Sequence, residues 1–264
     1  MRFSPPAGER EMAVTAQPLV GHPVVETYDY SLFGPVETRP LSKIRKIIAR
    51  RMWAAWANVP QVAQFDEVDL TDLEALRASL KPQAEVRGVR LTLLAFVMRA
   101  CARALLEFPD FNASLDDSGD NLVLKKYCHI GFATDTPVGL LAPVIRDVDK
   151  KGLFDIAGEI ATLADTAREG RLAFSDAEGG CFSVSNLGQL GGTGFTPTIN
   201  ASEVAVLGIA RAAPKVVERD GALVARLTLP LCLVYDHRVV DGAQGGRFMA
   251  AIRDQLTSPG VLAG

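Results

Sequence analysis

The chain has 264 residues, of which 48% are hydrophobic and 22% are charged, as in an ordinary globular protein with a large buried core. Its 31 acidic and 28 basic residues give a net charge of −3, which argues against bulk attraction to nucleic acid or to an anionic membrane. No apolar run reaches the ~18 residues that span a bilayer. We therefore expect neither a nucleic acid nor a membrane as a partner of this chain.

Four cysteines lie far apart, each among apolar neighbours: Cys101, Cys128, Cys181 and Cys232. A structural zinc site requires closely spaced ligands such as C-x₂₋₄-C, and the sequence has no such pair. Residues 1–21 combine charges with prolines and lack the apolar segment of a secretory signal. We expect buried reduced thiols, no metal site and a cytoplasmic location, or the mitochondrial matrix if the organism is eukaryotic.

The sequence divides into an extended arm or linker remnant over residues 1–38 and one mixed α/β domain over residues 39–264. The arm is rich in proline and has little periodic apolar pattern. Ser42 is placed to cap a helix whose apolar residues recur at helical spacing, while five cations occupy its other face. Two interpretations of those cations stay open: a solvated face, or a surface that steers a phosphate or contacts another subunit.

Apolar periodicity predicts the remaining elements in chain order. They are a strand over 61–70, a short helix capped by Thr71, a buried helix over 92–108, strands within 122–134 and 141–147, a helix over 152–172, a strand over 181–186, strands over 203–212 and 225–237, and a helix over 244–256. Strands and helices mixed in this way favour a single α/β domain.

Residues 234–243 carry the strongest candidate for catalysis. A strand-like apolar run delivers Asp236, His237 and Arg238 together, and Asp241 then opens a helix. A histidine at the end of a strand is held by the sheet and can face a cleft, and a neutral imidazole can accept a proton at pH 7. The spacing alone leaves two interpretations open: a general base with aspartates that orient it, or a surface turn followed by an N-cap aspartate.

The glycine-rich segment 179–200 indicates tight turns or the close approach of a ligand to the backbone. Ser185 ends a strand in this segment, but neither a G-x-S-x-G elbow nor a phosphate-binding loop surrounds it. A serine-hydrolase nucleophile and a phosphate-binding loop are therefore both disfavoured, and a role for Ser185 as hydrogen-bond donor to an oxyanion stays open. His129 lies among apolar residues and is interpreted as structural, and His22 as a solvated residue of the arm.

Several of these segments together resemble one family. DHRVVDG has the form D-H-R-x-x-D-G, and with GGCFSVSNLG, FTPTIN, EVAVLGIAR and PLSKIRKIIARRM it is similar to the catalytic domain of the dihydrolipoamide acyltransferases. These are the core components of the 2-oxoacid dehydrogenase complexes. The resemblance covers residues 33–256, and NVPQVAQFDEVDLTDLEALR is most like the pyruvate dehydrogenase branch.

The resemblance implies a chloramphenicol-acetyltransferase-like α/β fold, a mixed sheet flanked by helices, which forms homotrimers with active sites between subunits. It implies acetyl transfer between coenzyme A and a dihydrolipoyl group supplied in trans by a lipoyl-bearing protein or domain of a pyruvate dehydrogenase complex, without a metal. His237 is then the general base, Ser185 donates to the oxyanion, and Asp241 orients the site by ion pairing. Weaker candidates for contact with the substrate or coenzyme A are Asn186, Gly188, Phe195 and Asn200.

Two features depart from the family pattern. Family members carry lipoyl and subunit-binding domains before the catalytic domain, so we expect either a piece of a longer protein or a stand-alone acyltransferase. The ending LTSPGVLAG has fewer large apolar residues than the tail that docks family trimers into cages, so a trimer is expected and a larger cage is in doubt. Two alternative functions stay open: an acyltransferase that uses coenzyme A and a small acceptor, and a non-catalytic scaffold.

Overall fold

The computed structural model describes residues 28–188, 191–200 and 202–262. Within these ranges the strands are β1 (Gln61–Asp69), β2 (Ala113–Leu115), β3 (Leu122–Leu124), β4 (Ile130–Phe132), β5 (Thr134–Thr136), β6 (Gly139–Leu141), β7 (Val144–Ile145), β8 (Phe182–Asn186), β9 (Ala205–Ile209), β10 (Ala213–Arg219) and β11 (Ala222–Asp236). The helices are α1 (Lys43–Asn58), α2 (Thr71–Ser79), α3 (Lys81–Val86), α4 (Leu93–Glu107), α5 (Leu153–Arg168) and α6 (Gly242–Thr257).

Seven of the strands form one mixed sheet. Its order is β1-β11-β9-β8-β4-β7, and β10 pairs with β11 as a hairpin. β8 lies parallel to both β4 and β9, while the other pairs of the sheet are antiparallel. The predicted α/β class, a mixed sheet flanked by helices, is therefore confirmed.

The main core lies between one face of the sheet and helices α4, α5 and α6. Ten of the 15 residues of α4 are buried, as its nearly continuous apolar sequence predicts. Phe248 of α6 stacks on Phe111 with 3.9 Å between ring centroids and meets Phe182 of β8 edge-on at 5.7 Å. Aromatic pairs in such geometries add to the stability gained from burial. Packing against the helices thereby holds β8 in place from one face of the sheet.

The opposite face of the sheet carries a smaller apolar cluster, made of Ile199, Val206, Cys232 and Val234. Ile199 belongs to the segment 195–200, which lies over this face. Phe65 of β1 pairs with Cys232 in the register, yet its side chain is 63% exposed. An exposed phenylalanine beside a buried cluster leaves part of this face available to another protein surface.

Helix α1 projects apolar side chains into solvent. Its predicted cap is confirmed, because the Ser42 hydroxyl accepts a hydrogen bond from the Arg45 backbone at 3.2 Å. Ile47 and Trp56 are 46% and 69% exposed. Residues 28–42 before the helix are exposed throughout. Residues 1–27, which include His22, lie outside the described residues, so the division at residue 38 stays a prediction.

Two local expectations differ from the structure. Thr71 does not cap α2; it is the first residue of that helix, and its hydroxyl donates to Asp69 at 2.7 Å instead. The predicted strand within 122–134 is divided into β3, β4 and the start of β5. Between β3 and β4 the Asn112 side chain donates to the carbonyl oxygens of Lys125 and Tyr127, which takes the place of strand pairing there.

Candidate active site

His237 is the first residue of the turn that follows β11, and it is exposed. Its backbone N–H donates to the carbonyl oxygen of Pro60 at 3.0 Å, which ties the turn to the residue before β1. The ring of Tyr235 lies 6.0 Å from the imidazole, measured between ring centroids. The fold therefore presents the His237 side chain to solvent from a backbone that is held by the sheet.

Asp236 pairs with Arg238 and shapes this turn. The Asp236 carboxylate is buried and accepts hydrogen bonds from Arg238 Nη2 at 2.6 Å and from the Arg238 backbone N–H at 3.0 Å. The hydrogen bond to Asp236 raises the pKa of the Arg238 guanidinium. Because a buried charge requires a partner, this pair keeps the turn in one conformation. Asp236 thus stabilises the backbone conformation of the turn that positions His237.

Asp241 caps α6, as one of the two sequence interpretations has it. Its Oδ1 accepts from the Gln244 backbone N–H at 2.7 Å, and Gln244 Oε1 accepts from the Asp241 backbone N–H at 3.0 Å. This reciprocal pair is a capping box. No ion pair to Asp241 is found within the described ranges. Burial, and then the negative charge of Asp241, raise the pKa of Tyr235, so the carboxylate acts on the ring beside His237.

Ser185 lies near the end of β8 and is half-buried. Its register partner is Gly208, and the ring of Phe195 lies so close that a Cβ at Gly208 would be 3.2 Å from it. Phe195 therefore covers the sheet directly beside Ser185. After the strand, Asn186 Oδ1 accepts from the Gly188 backbone N–H at 2.7 Å, and Gly188 has a φ of +50°. Three of the four loop candidates thus lie next to Ser185.

Asn200, the fourth candidate, faces inward. Its Nδ2 donates to Ser183 Oγ at 3.0 Å and to Glu203 Oε1 at 3.2 Å. The Ser183 hydroxyl in turn donates to Glu203 Oε1 at 2.8 Å. Burial raises the pKa of Glu203 to about 7. Neither Ser183 nor Glu203 was predicted to belong to the site, although a glutamate at the start of the apolar run EVAVLGIA indicates a buried polar contact.

Ser185 and His237 do not meet within one copy of the chain. Ser185 pairs with Gly208 of β9, and Gly208 pairs with Cys232 of β11. His237 follows Cys232 by five residues, which places it about 16 Å further along the sheet and two strands, about 10 Å, across it. The two Cα atoms are therefore about 19 Å apart. Ser185 and His237 therefore lie at opposite ends of the strands.

Other candidate chemistry is limited in the part of the chain that the structure describes. It contains no group of three His, Cys, Asp or Glu side chains that could hold a metal ion. The four cysteines are free and buried, and burial raises the pKa of each thiol. His129 Nδ1 accepts from the Asp147 backbone N–H at 3.0 Å, as expected of a structural histidine.

None of the helices in the described ranges is both long and apolar enough to cross a membrane.

The sequence matches a known family. The family described as 2-oxoacid dehydrogenases acyltransferase (catalytic domain) matches residues 33–263. The acetyltransferase component of the pyruvate dehydrogenase complex of Pseudomonas aeruginosa is 49% identical over 236 residues, which are 89% of this chain and 43% of that protein. Its counterpart from Cupriavidus necator is 51% identical over 84% of this chain and 40% of that protein. This chain therefore spans less than half the length of these relatives.

Solved structures show the same fold. The cubic core of a pyruvate dehydrogenase multienzyme complex has a TM-score of 0.89 at 46% identity, covering 91% of this chain and 99% of the solved chain. Equal values hold for Azotobacter vinelandii dihydrolipoamide acetyltransferase, studied for the role of a serine, a histidine and an asparagine in its catalytic mechanism. Chloramphenicol acetyltransferase has a TM-score of 0.50 at 19% identity, covering 83% of this chain and 100% of the solved chain, which is a likeness of fold alone.

Proposed function

The chain belongs to the family of 2-oxoacid dehydrogenase acyltransferase catalytic domains, and from this premise we propose that it transfers an acetyl group between dihydrolipoamide and coenzyme A. Coenzyme A is a substrate in this proposal. The lipoyl group is supplied in trans by a lipoyl-bearing protein or domain of a pyruvate dehydrogenase complex. The relatives that are about half identical to this chain are named as the acetyltransferase component of that complex.

The spacing of Ser185 and His237 is the observation that carries the proposal. In the Azotobacter vinelandii enzyme the serine under study precedes the histidine by 52 positions, and the asparagine follows the histidine by four. Ser185 precedes His237 by the same 52 positions, and Asp241 stands four positions after it. We therefore assign to Ser185 and His237 the roles of oxyanion donor and general base, and place Asp241 where the relative has asparagine.

His237 acts as the general base for the attacking thiol. Its imidazole takes the proton from the thiol of coenzyme A, and the thiolate attacks the carbonyl carbon of the acetyl-dihydrolipoyl thioester. The tetrahedral intermediate collapses when the bond to the dihydrolipoyl sulfur breaks, and the imidazolium returns its proton to that sulfur. The reverse reaction follows the same path. A base of this kind contributes about 10²–10⁴-fold to the rate.

Ser185 stabilises the negative charge that develops on the carbonyl oxygen. Its hydroxyl is half-buried beside Phe195, where a hydrogen bond to an oxyanion is stronger than in water. Asn186, Gly188 and Phe195 surround this position and are proposed to contact the substrate. Asn200 belongs to the same segment, but its amide donates to internal groups, so its proposed contribution to binding is indirect.

Asp241 is proposed to orient the site rather than to transfer a proton. A carboxylate only accepts hydrogen bonds, whereas the asparagine amide of the relative also donates. The Asp241 carboxylate caps α6 and places a negative charge near Tyr235, the ring neighbour of His237. The cap also holds the start of α6, which follows the turn that carries His237.

The active site is proposed to form between two copies of the chain. A serine and a histidine about 19 Å apart in the sheet cannot both contact one thioester, because a hydrogen bond spans only about 3 Å. A second copy would place its His237 beside Ser185 of the first. Exposed apolar side chains on α1 and on the open face of the sheet, such as Trp56 and Phe65, suit such an interface. A homotrimer built from one repeated interface completes three sites.

Acetyl transfer from acetyl coenzyme A to dihydrolipoamide tests this function. The wild-type protein should form acetyl-dihydrolipoamide, and His237→Ala should lose about 10²–10⁴-fold in kcat. His129→Gln is the matched control, because His129 is held by a backbone N–H outside the proposed site, and it should keep the wild-type kcat. Equal rates for wild type and His237→Ala would overturn the proposal. Transfer to a small amine or alcohol in preference to dihydrolipoamide would favour the small-acceptor alternative, and no transfer at all would favour a scaffold.

A further inference from the structure

A buried polar cluster lies next to Ser185, on the same face of the sheet. We call it the Glu203 cluster, and its members are Lys125, Ser183, Asn200 and Glu203. Glu203 is 8% exposed and Ser183 is 6% exposed. Glu203 Oε1 accepts from both Ser183 and Asn200, while its Oε2 is buried with no hydrogen-bond partner in the described residues. None of these residues is assigned a direct part in the reaction.

The cluster connects the two segments that frame Ser185. Ser183 lies two residues before Ser185 in β8, so both hydroxyls are on the same face of the sheet. Asn200 ends the segment 191–200, which carries Phe195 over Gly208 beside Ser185. The Glu203 carboxylate accepts hydrogen bonds from Ser183 and Asn200 at the same time. It therefore holds β8 and the segment 191–200 against each other.

Lys125 links the residues that lead into β8 and β9 through their backbones. Its Nζ donates to the carbonyl oxygen of Ser202 at 3.0 Å and to that of Gly180 at 3.4 Å. Gly180 leads into β8, and Ser202 leads into β9. Its charge also offsets the buried carboxylate, because Lys125 is among the groups that favour the ionised form of Glu203.

The surrounding backbone leaves room for these polar groups. A Cβ at Gly131 would lie 2.8 Å from Ser183 Oγ, and a Cβ at Gly180 would lie 3.1 Å from Glu203 Oε1. A side chain at Gly131 would therefore displace the hydroxyl. Burying a carboxylate is costly, and an apolar side chain of similar volume often packs equally well or better. The space left for the groups that donate to this carboxylate indicates that its hydrogen bonds matter, and not only the volume it fills.

We propose that Glu203 is a positioning residue for Ser185. Through Ser183 and Asn200 it holds β8 and the segment that carries Phe195 at the spacing in which the Ser185 hydroxyl points at the thioester oxygen. This inference rests on the proposed function, because it presupposes that Ser185 stabilises the oxyanion. Without the carboxylate, Ser183 loses its acceptor and the covering segment loses its anchor. Ser185 then keeps its hydroxyl, but the hydroxyl is no longer oriented towards the thioester oxygen.

Two substitutions at Glu203 separate positioning from packing. Glu203→Gln keeps an acceptor oxygen for Ser183 and Asn200, so we expect its kcat to stay within about fivefold of wild type. Glu203→Leu fills a similar volume but accepts nothing, and we expect it to lower kcat at least tenfold through misplacement of the serine. An equal loss of kcat in both variants, with folding intact by circular dichroism, would overturn the proposal.

A double-mutant cycle with Ser185 distinguishes positioning of the serine by Glu203 from a purely structural role of Glu203. In the wild-type background, Ser185→Ala should lower kcat for acetyl transfer about 10²–10³-fold. In the Glu203→Leu background the same change should cost less than about tenfold, because coupled residues are not additive. Equal costs of Ser185→Ala in the two backgrounds would refute positioning while leaving the proposed function intact. Loss of the Ser185→Ala effect in the wild-type background would refute both.

Thr71→Val provides the matched control for this cycle. Thr71 also makes two internal hydrogen bonds, to Asp69 and from the Leu227 backbone. It lies beyond the end of β1, three strands across the sheet from the strand that carries Ser185. In the Thr71→Val background, Ser185→Ala should keep its full effect. If Glu203→Leu does not fold, Ser183→Ala replaces it in the same cycle, since it removes one donor and no charge. A full Ser185→Ala effect in the Ser183→Ala background would then overturn the inference.

Discussion

The buried carboxyl of Glu203 predicts how stability depends on pH. Burial raises its pKa from 4.5 to about 7 in the folded protein, and the charged groups that face it are Lys125 and, when ionised, Cys181. Between these pH values the unfolded chain loses the Glu203 proton while the folded protein retains it. The contribution of Glu203 to the free energy of unfolding therefore falls as pH rises from about 4.5 to 7 and is level above that. At 1.36 kcal/mol per pH unit, the loss is about 3 kcal/mol.

Urea unfolding of wild type and Glu203→Gln at a series of pH values measures this contribution. Glutamine does not titrate, so the other carboxyl groups cancel in the difference between the two proteins. The free energy of unfolding of Glu203→Gln should rise relative to that of wild type by about 3 kcal/mol between pH 4.5 and pH 7.5. Protein concentration is held constant because assembly contributes to stability. A difference that stays constant with pH, or that changes in the opposite direction, would refute the reasoning.

Two further predictions concern carboxylates with well-defined partners. Asp241→Ala should lower the free energy of unfolding by about 1 kcal/mol through loss of the α6 cap, whereas Asp241→Asn keeps most of it; equal losses in urea unfolding would contradict the capping role. Burial would raise the pKa of Asp69, but hydrogen bonds from Arg226 and Thr71 outweigh it and lower the pKa to about 2. The stabilisation by Asp69 is thus present above pH 4 and lost as pH falls through 2, so Asp69→Asn should destabilise the protein at pH 7 and no longer do so near pH 2. A pH-independent loss would argue against this ion pair.

Long apolar patterns in the sequence predicted the elements that hold the candidate site. The run that forms α4 and the run that ends β11 at Asp236 are continuous enough to be assigned without tertiary information. β8 was also predicted, and with it the placement of Ser185 near a strand end. Elements whose side chains are mostly exposed were harder to predict. β10, which carries no buried residue, was not predicted because its position depends on pairing with β11.

Contacts between distant segments were beyond the reach of sequence patterns. Thr71 has the residue type of a helix cap, yet its hydroxyl accepts a hydrogen bond from the backbone N–H of Leu227 in β11. Glu203 lies just before the apolar strand β9, and nothing in the local sequence shows that Ser183 and Asn200 will reach it. The separation of Ser185 from His237 likewise follows from the strand order rather than from either motif.

Complementation between two inactive variants tests most directly the central claim, that Ser185 and His237 of different copies form one acyl-transfer site. Ser185→Ala and His237→Ala proteins are mixed in equal amounts, unfolded, reassembled and assayed for acetyl transfer to dihydrolipoamide. Random assembly places an intact serine beside an intact histidine at one interface in four, so about a quarter of the wild-type activity should return. Activity that remains at the level of the separate variants would contradict the account, because a site contained in one chain is never restored by mixing.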